Sequence, residues 1–271
     1  MIADDQSRER ETETAMAGLL TSAPPNFASD VLVEVGLADR YARMDSPIGP
    51  LTVVWNGVGV ASVETVDVPD DADFEAAHRA ATGRRIFRAD ALPRRLASAI
   101  QRRLDGDRHI RIDLDLRGRT AFERDVWSKA LEIPRGEVRP YGWIAAEIGR
   151  PKAVRAVGTA LGHNPVPLIV PCHRVVRSDG LLGQYSLGGP GNKRTILAAE
   201  GVDVPGLERL AAAGIRYIGS DTTKIFCLPT CRHARRVTDR HRLEFHSLGE
   251  VAARGYRACR VCRPAAAYVA A

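Results

Sequence analysis

Four of the five cysteines fall in two close pairs, Cys227-x3-Cys231 and Cys259-x2-Cys262, with 27 residues between the pairs. No other feature narrows the local fold as far, because thiols two or three residues apart sit on tight turns and can close on one metal ion. The competing use of paired cysteines is a disulfide framework, which requires an oxidising compartment. The chain starts with Asp4, Asp5, Glu9, Glu11 and Glu13, the wrong sign for a secretory leader. No apolar run approaches the roughly 18 to 20 residues that cross a bilayer. A cytoplasmic setting without membrane insertion is expected, and with it a four-thiolate zinc site at Cys227, Cys231, Cys259 and Cys262. Cys172 stands apart and needs its own explanation.

Charge points the same way. Residues 217–264 hold ten Lys/Arg against four Asp/Glu, and residues 120–200 hold eleven against seven, so the positive charge sits where the cysteines are. Such surfaces favour polyphosphate partners through counterion release, although scattered arginine is also ordinary solvated surface.

Along its 271 residues the chain divides by pattern into five stretches. Residues 1–40 are polar and acidic at the start and suit a poorly ordered tail or short helix. Residues 41–119 suit a small α/β domain. There Leu51, Val53 and Val54, then Asn56-Gly57, then Val58, Val60 and Val63 predict a hairpin. Helical spacing follows over Phe74–Ala81 and Leu92–Leu104, and alternation predicts a strand over Ile110–Leu116. Residues 120–203 turn mostly helical. Thr120 and Glu123 form a capping box ahead of Phe122, Val126, Trp127, Ala130 and Leu131. Trp143–Ile148 and Ala153–Leu161, separated by Gly149–Pro151, have the size of a helix-turn-helix. Pro165, Pro167 and Pro171 forbid helix between Asn164 and Cys172 and predict an extended, stiff approach. Residues 204–216 suit a linker, and residues 217–266 a small α+β zinc module.

The string PVPLIVPCHRVV sets Cys172 directly before His173 and Arg174. A free thiol titrates near pH 8.5, so about a tenth or less is thiolate at neutral pH, and a neighbouring His and Arg raise that fraction. A buried, inert cysteine beside a surface His-Arg pair is the bland alternative.

The wider stretch carries FERDVWSKAL, then IPRGEVRPYGWIAAEIGRPKAVRAVGTALGHNPVPLIVPCHRVV, then GLLGQYSLGGPGNKRTILAAEG, and it resembles the O6-alkylguanine-DNA alkyltransferase family. The resemblance covers roughly residues 42–201, most closely after residue 120, and includes the family's PCHRV acceptor motif. It implies a winged helix-turn-helix-like domain in which Cys172 takes the alkyl group irreversibly, once per molecule and without a cofactor. It further implies that His173 deprotonates Cys172 through water, that Glu200 orients His173, and that Asn164 braces the turn. Tyr141 would sit over the pocket, and Tyr185, Ser186 and the backbone at Val175 would hold the base. Arg155 would fill the gap left by the flipped nucleotide, and Ala156, Gly158 and Ala160 would approach the minor groove of double-stranded DNA. Arg174 is a further candidate DNA contact, and a monomer is expected.

The segment holding IFCLPTC and ACRVC resembles the Ada metal-binding domain. That likeness implies that the four thiolates hold one zinc and that Cys227 accepts a methyl group from a DNA phosphotriester. A zinc that only folds a DNA-binding module is the alternative, and Arg232 and Arg257 suit phosphate contacts either way. The module follows the alkyltransferase portion, an order from which no direct role in activating transcription is expected. Two readings of the whole remain beside direct repair: a DNA-binding alkylation sensor without transfer, and a cysteine hydrolase using Cys172 and His173. Adjacent residues of an extended segment point apart, which suits relay through water better than a direct thiol-imidazole pair.

Overall fold

The computed structural model describes residues 24, 26–65 and 70–264, so the acidic start of the expected tail lies outside the described residues. Residues just after it are folded. Helix α1 covers Phe27–Glu34 and strand β1 covers Ala38–Met44. The predicted hairpin is β2, Leu51–Trp55, and β3, Val60–Thr65. Its turn is closed by the Asn56 side chain, which accepts from the Val58 N–H at 2.8 Å. Gly59 is required there: its φ is +152°, and a Cβ would lie 2.3 Å from the Asp113 carbonyl oxygen. Helix α2, Asp71–Thr82, carries the chain to β4, Arg85–Arg88, which pairs parallel to β1 and completes a sheet of order β3-β2-β1-β4.

Helix α3, Arg94–Leu104, is followed by a segment that departs from expectation. Residues Ile110–Leu116 form no ladder; only Leu114 bridges Val60. Their alternation has a different cause: Ile112, Leu114 and Leu116 pack as a cover on the core, while Val60 exchanges backbone hydrogen bonds with Asp113 and Asp115. A buried polar knot secures this cover. Asp39 accepts from Asn56 at 2.7 Å and Arg84 at 2.8 Å, and Asn56 also donates to Asp115 at 2.8 Å.

Helix α4, Ala121–Leu131, begins in the expected capping box, with both the Thr120 and Glu123 side chains engaged. Thr120→Ala should cost about 1 kcal/mol in urea unfolding, and an unchanged midpoint would contradict a role for the cap. Helices α5, Tyr141–Glu147, and α6, Val154–Gly162, follow as a pair. The Trp127 indole on α4 donates to the Ala160 carbonyl on α6 at 2.8 Å. Leu51, Val53, Val60 and Val63 of the sheet share one buried cluster with Trp127, Ile144 and Val157 of the helices. The first sheet and the helices are therefore one packed body.

Residues 204–216, expected as a linker, hold helix α8, Val204–Ala212, instead. Asp203 caps it, Pro205 sits in its first turn, and Val204, Leu207 and Ala211 are buried. It packs near α7, Gly189–Ala199, with Leu207 joining Leu197 and Val202 in a second cluster. Beyond it lie β7, Tyr217–Ser220, β8, Ile225–Cys227, β9, Arg242–Phe245, helix α9, Leu248–Ala253, and β10, Arg257–Ala258. The four strands form a small sheet of order β10-β8-β7-β9 around paired rings, Tyr217 on Phe226 and Phe245 on Tyr256. Among the described residues no helix is long and apolar enough to cross a membrane.

Candidate active site and thiol cluster

Cys172 opens a short 3-10 turn, Cys172–Arg174, that leads into β6, Val175–Val176. The approach is compact and not the extended run expected: Val170 N–H bonds the Val166 carbonyl, Cys172 N–H bonds the Val170 carbonyl, and Leu168 has φ +72°. The prolines still exclude helix, but they do so within a coil of local turns. Asn164 ties this coil together. Its Nδ2 donates to the Val170 carbonyl at 3.0 Å and to Cys172 Sγ at 3.1 Å, while its Oδ1 accepts from Val166 N at 3.1 Å. β6 pairs parallel to β5, Arg139–Pro140, which leads directly into Tyr141.

His173 and Arg174 converge on one carboxylate, Glu200, at the C-terminal end of α7. His173 Nε2 lies 3.0 Å from Glu200 Oε1, and Arg174 reaches both oxygens at 2.7 and 2.9 Å. All three are buried. Burial opposes ionisation of Glu200, but the hydrogen bonds from His173 and Arg174 win and hold its pKa at about 2. An ionised Glu200 can only accept, so His173 donates from Nε2 and keeps the lone pair on Nδ1, which has no protein partner. Burial also pushes the His173 pKa down against the pull of Glu200, leaving a neutral imidazole with a free acceptor.

The sulfur is governed mainly by desolvation. Cys172 is 5% exposed, and burial raises its pKa although the Asn164 bond and the Lys193 charge favour the thiolate. The expectation that Arg174 activates the thiol is corrected: its charge is spent on Glu200 and on the Ile133 carbonyl at 2.8 Å. For the same reason Arg174, 4% exposed, cannot serve as a DNA contact. The cation that does act on the sulfur is Lys193, which no sequence motif singles out. It is fully buried, donates to the Val175 carbonyl at 2.6 Å, and is lowered to about 8, chiefly by burial. Its signal was available: it shares the inward face of α7 with Ile196 and Leu197.

The remaining candidates surround this centre. Tyr141 is half-buried, its pKa raised by burial and by Cys172. Tyr185 is buried edge-on to His173, with a hydroxyl that has no protein partner, while Ser186 is exposed. The Val175 carbonyl already accepts from Lys193 and retains one lone pair. On α6, Arg155 and Ala156 are exposed, and a Cβ on Gly158 would lie 4.0 Å from the Tyr141 ring. Ala160 is 3% exposed and faces the core, so its side chain is not at a DNA surface.

The second centre gathers all four paired cysteines, whose sulfurs lie within 4.8 Å of one another. Tetrahedral zinc with bonds of about 2.3 Å needs sulfurs about 3.8 Å apart, so the donor set fits zinc. The four thiols are not equivalent. Cys231 and Cys262 are wholly buried, whereas Cys227 and Cys259 line a cavity of about 450 Å³ together with Arg236, Arg257 and Arg260. Arg232 is exposed outside that cavity. His233 and His246 are exposed, and His241 pairs with Asp221 at 2.9 Å.

Residues 121–202 match the family model for the DNA-binding domain of 6-O-methylguanine DNA methyltransferase, and residues 208–265 match that for the metal-binding domain of Ada. The methylated-DNA–protein-cysteine methyltransferase of Mycobacterium tuberculosis is 38% identical over 171 residues, which cover 59% of this chain and 92% of that protein. The regulatory protein ada of Salmonella typhimurium is 39% identical over 153 residues, 55% of this chain and 42% of that protein. The crystal structure of Mycobacterium tuberculosis OGT in complex with DNA is 35% identical, with a TM-score of 0.49, covering 62% of this chain and 99% of that one.

Proposed function

Because the chain belongs to the methylated-DNA–protein-cysteine methyltransferase family and carries an Ada-type metal-binding domain, we propose that it repairs O6-alkylguanine in DNA by moving the alkyl group onto its own Cys172. The observation that carries this reading is the chain of contacts around the sulfur: Asn164 on Sγ, a neutral His173 with Nδ1 free, and Glu200 ionised behind it. In the transfer a sulfur–carbon bond forms as the carbon–O6 bond breaks, and the electron pair of the broken bond passes into guanine. The thiol proton goes through a bridging water to His173 Nδ1, and guanine is neutralised by a proton supplied at the Tyr141 hydroxyl. The His173 imidazolium then releases its proton to solvent and the Tyr141 phenolate takes one up, so the net change is one proton moved from the thiol to the base. A thioether is a poor leaving group, so each molecule acts once.

A sulfur this deeply set cannot reach a base inside stacked DNA. The damaged nucleotide must therefore rotate out of the duplex at a cost of a few kcal/mol. Arg155 and Ala156, exposed on α6, support a reading in which that helix enters the minor groove and Arg155 occupies the gap. α5 and α6 then form the helix-turn-helix, residues 41–119 a supporting α/β domain, and the protein acts as a monomer. Incubation with a duplex holding one O6-methylguanine should add about 14 Da, one methylene, to the peptide that contains Cys172. Undisturbed mass with the lesion intact would favour a sensor that binds without transfer.

Cys227, Cys231, Cys259 and Cys262 would hold the zinc. A bound zinc keeps its thiolate ligands deprotonated yet nucleophilic. Of the four, Cys227 and Cys259 line the arginine-bordered cavity, which suits a backbone phosphotriester, and the family likeness selects Cys227 as the acceptor. Cys227→Ala should abolish methyl transfer from a phosphotriester oligonucleotide while Cys172 still carries the methyl of O6-methylguanine at the end of the reaction, both read by peptide mass mapping. Persistent phosphotriester transfer in that variant would remove the proposed acceptor role of Cys227.

A further inference from the structure

The thiol cluster and the acceptor site are joined by more than the chain between them. Thr230 Oγ1 accepts from the Val138 N–H at 2.9 Å, and the Arg232 N–H donates to Glu137 Oε1 at 3.0 Å. The Trp143 indole donates to the Cys262 carbonyl at 2.9 Å. Arg263 stands 2.6 Å from the Glu147 carboxylate and lies over the Trp143 ring. Glu137, Val138, Trp143 and Thr230 are all buried, so water does not replace these partners when they separate without cost.

The positions of these contacts divide the cluster in two. Every contact named on its side comes from the turns that bear Cys231 and Cys262, the two wholly buried thiols. Cys227 and Cys259 face the open cavity instead. The inner pair therefore shapes the seam, and the outer pair, itself 4–5% exposed, lines the cavity. On the opposite side the contacts fall on residues 137–147, which include α5 and Tyr141. Between them lies β5, paired with β6 directly after the Cys172 turn.

We propose that the thiol cluster, once closed on its metal, braces the alkyltransferase site: it fixes the turns that hold Glu137, Val138 and Trp143, and so keeps α5 and Tyr141 in place. Trp143, Glu137 and Thr230 are positioning residues in this scheme. It rests on the zinc reading given above. The physical reason is that turns of this kind, each carrying a single ligand, keep their shape only while their sulfurs are tied. A loosened seam leaves the Trp143 indole N–H without its buried acceptor and takes the Arg232 N–H from Glu137 Oε1, while Arg139 still holds Oε2 at 2.6 Å.

Amide hydrogen exchange on the full zinc-loaded chain tests this. After a chelator strips the zinc, amides of residues 133–147 should exchange at least about tenfold faster, beyond the loss of protection within 217–264, while those of 51–65 keep their rate. Loss confined to 217–264 overturns the proposal and leaves the zinc reading standing. A purified chain that neither holds nor takes up zinc overturns both. If the stripped chain aggregates, the double variant Trp143→Phe with Thr230→Val, kept zinc-loaded, decides the matter. A chromophoric chelator should then withdraw zinc at least about tenfold faster than from the unaltered chain, and an unchanged rate overturns the brace.

Discussion

Cys172→Ala should leave O6-methylguanine in duplex DNA wholly unrepaired while the protein still binds the duplex. Among the described residues of this centre the sulfur is the nucleophile, and the groups around it serve it. Asn164 touches it at 3.1 Å, and Lys193 acts on it through its charge. Without the nucleophile there is no partial route, since an inserted water would need a base stronger than a buried neutral imidazole. The expected result is loss of transfer to below detection, read both as no mass gain on the protein and as undiminished lesion in the digested oligonucleotide. Retained binding, measured on the same duplex, separates this outcome from misfolding. Disappearance of the lesion with the alanine variant would end the proposal that Cys172 is the acceptor.

Glu200→Gln should cost about 3–5 kcal/mol, because removing one partner strands the buried Arg174 charge. For a chain of this size that corresponds to a fall in melting temperature on the order of 10 °C. The pH dependence gives a sharper check. The Glu200 carboxyl is held at about 2, below its ordinary 4.5, so its contribution is complete above pH 4.5 and is lost as the pH falls toward 2. The gap in unfolding free energy between wild type and variant should therefore be widest at neutral pH and should narrow through that acid window. A variant as stable as wild type at pH 7 would show that the carboxylate is not what holds His173 and Arg174. Transfer should slow as well, since glutamine no longer fixes the tautomer that leaves His173 Nδ1 free.

Local signals were readable in the sequence where one short segment determines its own structure. The Thr120–Glu123 cap, the Asn56-Gly57 turn and the two cysteine pairs all belong to this kind, and so does the adjacency of Cys172 and His173. What escaped was set by distant partners. Arg174 reads as an activating cation until Glu200, far along the chain, claims its Nε and Nη2 and the Ile133 carbonyl its Nη1. Lys193 takes its role from a carbonyl 18 residues away, that of Val175 at its tip. The alternation of Ile110–Leu116 reports truly that one face is buried, yet it does not reveal that a single bridge replaces a ladder. Residues 204–216, placed between two motifs as a linker is, form a packed helix, and its start is local: Asp203 caps it and Pro205 sits in its first turn.

A protein that is consumed by its own reaction is wasted by every accidental one. Peroxides and stray electrophiles attack thiolates, and they attack those that are exposed. The sheltered, protonated sulfur of Cys172 answers both threats, since solvent finds little of it and what it finds is a thiol. A sulfur so sheltered keeps the molecule's one opportunity for the lesion it removes.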